Sequence, residues 1–154
     1  MLEPGKSGCR ALRKGRHSQP NGCYFITVVT VQRIPWFQIF AFAHAMCREL
    51  QGSRTIGDAE NLCWVLMPDH LHLLLRLRER PLNRVVQQLK SRTALRLNQE
   101  IGRSGRFWEP AYYDHALRSE ESLRRTARYI VANPLRAGLV GKVGDYPYWN
   151  AKWL

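Results

Sequence analysis

The sequence lacks several features that would have set its class at once. It has no C-x-x-C pair: Cys9, Cys23, Cys47 and Cys63 are scattered, which argues against a structural zinc site. It has no apolar run approaching the roughly 20 residues of a membrane-spanning helix. The longest candidate, Val65–Leu75, is broken by Pro68, Asp69 and two histidines. The first twenty residues, MLEPGKSGCRALRKGRHSQP, hold no apolar stretch of the kind a secretory signal needs. A cytoplasmic protein with free thiols is therefore the expectation. Acidic residues are scarce too, 12 against 24 Lys and Arg, for a net charge of +12. A small, strongly basic domain meets polyanions. No helix pairs a basic face with a bulky aromatic underside, so nucleic acid is favoured over a membrane surface. Arginine dominates, and its planar fork suits phosphates and stacked bases.

What is present is enough for a fold. At 154 residues and 45% apolar, the chain fits one domain over residues 1–154 with a single sizeable core. Residues 1–20 read as a basic arm. CYFITVVTVQ (Cys23–Gln32) is β-branched and aromatic and reads as a strand. Phe37–Gly52 has a helical apolar period and a glycine stop. Asn61–Met67 and His70–Leu77 read as two strands joined by a tight Pro68–Asp69 turn. From Leu82 to Ile101 the apolar stripe is helical again, and Gly102 ends it. Tyr112–Arg118 reads as a fourth strand. Ser119 then caps a helix whose first turn carries Glu120 and Glu121 and which runs towards Pro134. The order β-α-β-β-α-β-α is that of an α+β, ferredoxin-like split βαβ sandwich: an antiparallel central sheet with helices on it, followed by a C-terminal helix that carries Tyr129.

Two features carry chemistry. The stretch VLMPDHLHLLLRL sets His70 and His72 on one side of a strand, because residues i and i+2 share a face. Side by side, two imidazoles can ligate one divalent metal, or they can hydrogen-bond across the sheet. The next alternate position is Leu74, so the pair is not the start of a histidine triad, and no H-E-x-x-H is present. A two-histidine site needs a third ligand. In SEESLRRTARYIVANP, Leu123, Ala127, Ile130 and Val131 make the apolar stripe, and Tyr129 lies off it. Arg125 sits four residues before Tyr129 and Asn133 four after, on the same helical face. Read by itself, the tyrosine is either functional or simply exposed, and Asn133 is either a ligand or a helix stop.

The residues that match are H-Leu-H after V-L-M-P-D, and YIVANPLRAGLV from Tyr129 to Val140. With them go LRKGRHS near the start, FWEPAYYDHALR (Phe107–Arg118) and the ending DYPYWNAKW. Together they resemble the REP-associated tyrosine transposases, members of the HUH single-strand nucleases with one catalytic tyrosine. The resemblance covers most of the chain, from about Leu12 onward. It implies a metal-dependent single-stranded DNA endonuclease and strand transferase that cleaves at hairpin, REP-like sequences through a 5′-phosphotyrosine intermediate. It implies Tyr129 as nucleophile, with His70, His72 and Asn133 holding Mg²⁺ or Mn²⁺. The expected partner is single-stranded or hairpin DNA, the expected location the nucleoid, and the expected state a monomer or homodimer.

Around these, Asp69 and His115 are candidates to orient the ligating imidazoles, though Asp69 is equally a hairpin residue. Arg10, Arg13, Lys14 and Arg16 form the basic arm. Lys90, Arg92 and Arg96 on the second helix, with Arg125, are candidate DNA contacts. Trp108, Tyr112 and Tyr113 are either base-stacking or core residues, with core packing the better reading for Trp108. Two other classes stay open: a non-catalytic basic nucleic-acid-binding module, and a metal-dependent hydrolase that attacks with water.

Overall fold

A computed structural model describes residues 18–153. Five strands form one sheet: β1 (Cys23–Val29), β2 (Ala59–Met67), β3 (His70–Leu77), β4 (Tyr113–Leu117) and β5 (Trp149–Ala151). Their spatial order is β4-β1-β3-β2-β5, and every pairing is antiparallel. The helices are α1 (Phe40–Gln51), α2 (Ser53–Ile56), α3 (Leu82–Ile101), α4 (Glu120–Val131) and α5 (Asn133–Arg136). The first four strands in the order 4-1-3-2 are the split βαβ arrangement expected from the sequence.

Strand periodicity divides the core between two faces. Tyr24, Ile26 and Val28 of β1 and Leu71, Leu73 and Leu75 of β3 face α1 and α3, whose Ala43, Met46, Val85, Val86 and Leu89 complete that layer. Phe25 of β1, Val65 and Met67 of β2 and Leu74 of β3 face the other way. There they pack on Leu123, Ala127, Ile130 and Val131 of α4. His70 and His72 share parity with Leu74, so both project to the α4 side. Helix α4 begins where the sequence places it. The Ser119 hydroxyl accepts from the Ser122 N–H and the Ser119 N–H donates to the Ser122 hydroxyl, a reciprocal cap, with Glu120 and Glu121 in the positive first turn. Gly102 closes α3 in a left-handed conformation, φ 63°.

The main differences from the sequence reading are at β1, at α1 and at the C-terminal edge of the sheet; β2 begins at Ala59 and β4 spans Tyr113–Leu117. Strand β1 stops at Val29, not Gln32. The next residues turn, with Gln32 and Arg33 at φ 56° and 53°, a region costly for residues with a Cβ. Outside contacts hold that turn: the Gln32 N–H donates to Glu109 Oε1 at 2.7 Å, and Arg33 Nη1 to Asp69 Oδ2 at 3.3 Å. Helix α1 starts at Phe40, after a single 3₁₀ turn over Trp36–Gln38. An element the sequence reading did not contain is β5, a three-residue strand beside β2.

Candidate active site

The site is built on the hairpin between β2 and β3. Met67 pairs with His70 across the two-residue turn, so β3 begins at the first histidine. The rings of His70 and His72 lie 4.7 Å apart, centroid to centroid, in an edge-to-face arrangement. Each has its Nδ1 engaged. His70 Nδ1 bonds Asp69 Oδ1 at 2.7 Å, and His72 Nδ1 bonds Thr27 Oγ1 at 2.8 Å. In both rings this leaves Nε2 as the nitrogen for a ligand, the arrangement in which a partner on one nitrogen fixes the tautomer and orientation of the other.

Electrostatics fit that role. Burial pushes the His72 imidazole down to about 3, helped by the nearby charges of His70 and Arg136 and opposed by Asp69. His72 is therefore neutral at physiological pH, the form that ligates metal. The hydrogen bond with His70, and to a lesser degree Arg33, holds the Asp69 carboxyl below its usual range against the effect of burial. Asp69 is thus both a turn residue and a partner of His70, so its two sequence readings are compatible.

Thr27 was not legible from the sequence. It lies on β1, 45 residues from His72, and becomes a partner only because β1 and β3 pair with Thr27 opposite His72. His115 pairs with Phe25 on the exposed edge strand β4, and the bonds to the two imidazoles come from Asp69 and Thr27 instead.

Tyr129 stands on α4 over the same sheet face. Its ring packs edge-on against Phe25 at 6.3 Å, and Phe25 in turn lies 5.3 Å from the His72 ring. Asn133 does not continue the tyrosine helix. Helix α4 ends at Val131, Ala132 is its cap, and Asn133 opens the four-residue α5 with Pro134 in its first turn. The one-helix relation between Tyr129 and Asn133 expected from the sequence is therefore interrupted, because Pro134 cannot continue the ladder. The Asn133 side-chain nitrogen is buried and has no hydrogen-bond partner.

Among the described residues no group of three or more His, Cys, Asp and Glu side chains is arranged to hold a metal. An ion here would need two imidazoles and a ligand of another kind. A carboxamide fits: turned by 180°, the orphaned Asn133 amide presents an oxygen, a ligand for hard divalent cations.

The candidate DNA contacts scatter. Arg10, Arg13, Lys14 and Arg16 lie outside the described residues. Arg125 is exposed and pairs with Glu121 one turn back at 2.8 Å. Helix α3 covers the sheet face opposite the histidines. On it, Arg92 is exposed, whereas Arg96 pairs with Glu100 at 3.3 Å and Glu49 at 3.9 Å. Lys90 Nζ donates to the carbonyls of Glu109 and Pro110 at 2.6 and 3.1 Å. Lys90 also lines a cleft of about 1700 Å³ between α3 and the β4 edge, with Tyr112, His115 and Arg118. Trp108 is a core residue, its indole N–H donating to Thr93 Oγ1 at 2.9 Å, and Tyr112 is buried as well. Burial raises the Cys47 thiol to about 11 and the Cys63 thiol to about 12, which keeps both protonated.

Among the described residues no helix is long and apolar enough to cross a membrane.

An antiparallel sheet with a histidine pair on one strand and a tyrosine helix over it defines a transposase of the single-tyrosine class, an enzyme acting on DNA. The family model described as IS200-like transposase matches residues 21–133, and the chain belongs to that family. A REP-associated tyrosine transposase of Haemophilus influenzae is 27% identical over 143 residues, 82% of this chain and 78% of its own length. One of Escherichia coli is 30% identical over 87 residues, 55% of this chain and half of that protein. In fold, the chain is similar to a REP-associated tyrosine transposase solved bound to a REP hairpin. The TM-score is 0.68 at 24% identity, covering 87% of this chain and 79% of the other. A Deinococcus radiodurans transposase gives a TM-score of 0.55 at 24% identity, covering 75% and 93%. At these identities the two structures speak to the fold alone.

Proposed function

We propose that this transposase is a single-strand DNA endonuclease and strand transferase that acts beside REP-like hairpins on the chromosome, with Tyr129 as nucleophile. The phenol oxygen attacks the scissile phosphorus and forms a P–O bond. The bond from phosphorus to the 3′ oxygen breaks, and that oxygen leaves as a 3′-hydroxyl. The phenolic proton is lost to solvent, and solvent supplies one to the leaving oxygen. The 5′-phosphotyrosine keeps the ester, so a second 3′-hydroxyl can reverse the step and join strands. His70 and His72 through Nε2, and Asn133 through its carboxamide oxygen, would hold Mg²⁺ or Mn²⁺. When bound, the ion neutralises charge on the scissile phosphate and polarises it towards attack. Asp69 and Thr27 keep the two Nε2 lone pairs outward.

The observation that carries this reading is Phe25, which touches both the His72 ring and the Tyr129 ring. The nucleophile and the histidine pair thereby share one face of one chain. The test incubates the full chain with a labelled single-stranded oligonucleotide carrying a REP hairpin, with Mg²⁺ or Mn²⁺, and resolves products on a denaturing gel. We expect a protein–DNA adduct that is lost in Tyr129→Phe and with EDTA, and lost in His72→Ala while hairpin binding persists. Cleavage surviving in Tyr129→Phe would mean a hydrolase attacking with water. Binding with no cleavage under either metal would mean a binding module.

A further inference from the structure

Two of the three arginines on the tyrosine helix are neutralised by neighbours. On α4 itself, Arg124 pairs with Glu120 at 3.7 Å and Arg125 with Glu121 at 2.8 Å. Across the sheet, Arg76 pairs with Glu60 at 3.3 Å. Among the described residues neither Arg128 of α4 nor Arg136 has a carboxylate partner, and Arg136 lies against the tyrosine itself. Its guanidinium carbon sits 4.0 Å from the centre of the Tyr129 ring, and its Nη2 donates to the Tyr129 carbonyl at 2.7 Å.

The helix break after Val131 makes this possible. The turn through Pro134 brings α5 back so that an arginine seven residues on covers the ring. One N–H is committed to the carbonyl, and a guanidinium carries five. The remaining donors lie beside the phenol on a side chain that is itself exposed. A cation resting on an aromatic face is held without being neutralised, so its charge stays available to an incoming anion.

We propose that Arg136 is a further catalytic residue: clamped on the face and carbonyl of Tyr129, it donates to a non-bridging oxygen of the phosphodiester that Tyr129 attacks. This rests on the reading of Tyr129 as nucleophile. The phosphate gains charge-assisted hydrogen bonds as its five-coordinate transition state develops, in a fork geometry suited to phosphate. The same clamp fixes the ring's direction of attack.

The test compares wild type, Arg136→Lys and Arg136→Met at saturating hairpin oligonucleotide with Mg²⁺. It measures the rate of adduct formation, hairpin affinity and thermal melting. Methionine keeps much of the apolar stem and loses the charge, whereas lysine keeps the charge without the fork. Arg136→Met should slow adduct formation by about a hundredfold or more, with hairpin affinity and melting within a few-fold and a few degrees of wild type. Arg136→Lys should recover at least a tenth of the wild-type rate. A Met variant that reacts like wild type, or Lys and Met variants that fail equally, would overturn the proposal. Absence of a Tyr129-dependent adduct in wild type would instead overturn the nucleophile assignment.

Discussion

Thr27 decides which nitrogen of His72 faces outward. A neutral imidazole carries one proton, and the Thr27 hydroxyl at 2.8 Å can accept it from Nδ1, the tautomer that leaves Nε2 free for a metal. Thr27→Val keeps the β-branched shape and removes the acceptor. The expected result is a ten- to hundredfold rise, roughly, in the Mn²⁺ concentration giving half-maximal adduct formation. The buried Nδ1 would lose its partner at a cost of about 1–3 kcal/mol. Nitrogen chemical shifts of His72 should report a larger share of the Nε2–H tautomer. An unchanged Mn²⁺ requirement would remove Thr27 from the site. The residue also marks a limit of sequence reasoning. The histidine pair was legible because i and i+2 is a local relation. Thr27 was not, because its role depends on the register between two strands 45 residues apart.

Elements with strong periodicity were legible almost to the residue. Strand β3 and helix α3 begin where Pro68–Asp69 and Pro81 set them, and Ser119 starts α4. Strand β5 was not legible: three residues cannot show an alternation, and Trp149 pairs with Val65 only once β2 is in position. For the charges on α3, sequence shows where a cation falls on a helix and not what it bonds. Lys90 and Arg92 separate these cases. Lys90 holds the segment through Glu109 and Pro110 by its carbonyls, so Lys90→Met should destabilise the fold by roughly 1–3 kcal/mol, seen as a melting point lower by several degrees. Arg92 is exposed. Arg92→Gln should leave melting unchanged and, if Arg92 meets a phosphate, lower the slope of log affinity against log salt by roughly 0.7–0.9. An unchanged slope would take Arg92 off the DNA path.

At the scale of the whole molecule, the question is whose histidines the tyrosine serves. Helix α4 is held over its own sheet by Leu123, Ala127, Ile130 and Val131, all buried against Phe25, Val65 and Leu74. Freeing Tyr129 to reach a second chain would expose Leu123, Ile130 and Val131, at about 1.5–3 kcal/mol each, unless the whole helix were exchanged. With Phe25 bridging Tyr129 and His72 within one chain, the helix has no need to leave. Mixing Tyr129→Phe protein with His70→Ala/His72→Ala protein tests this directly. Each variant alone lacks one half of the site, and action within one chain predicts that the mixture forms no adduct at any ratio or concentration. An adduct on the histidine-deficient chain, its yield rising with total protein, would show instead that the tyrosine helix crosses between two copies and that the complete site belongs to a dimer.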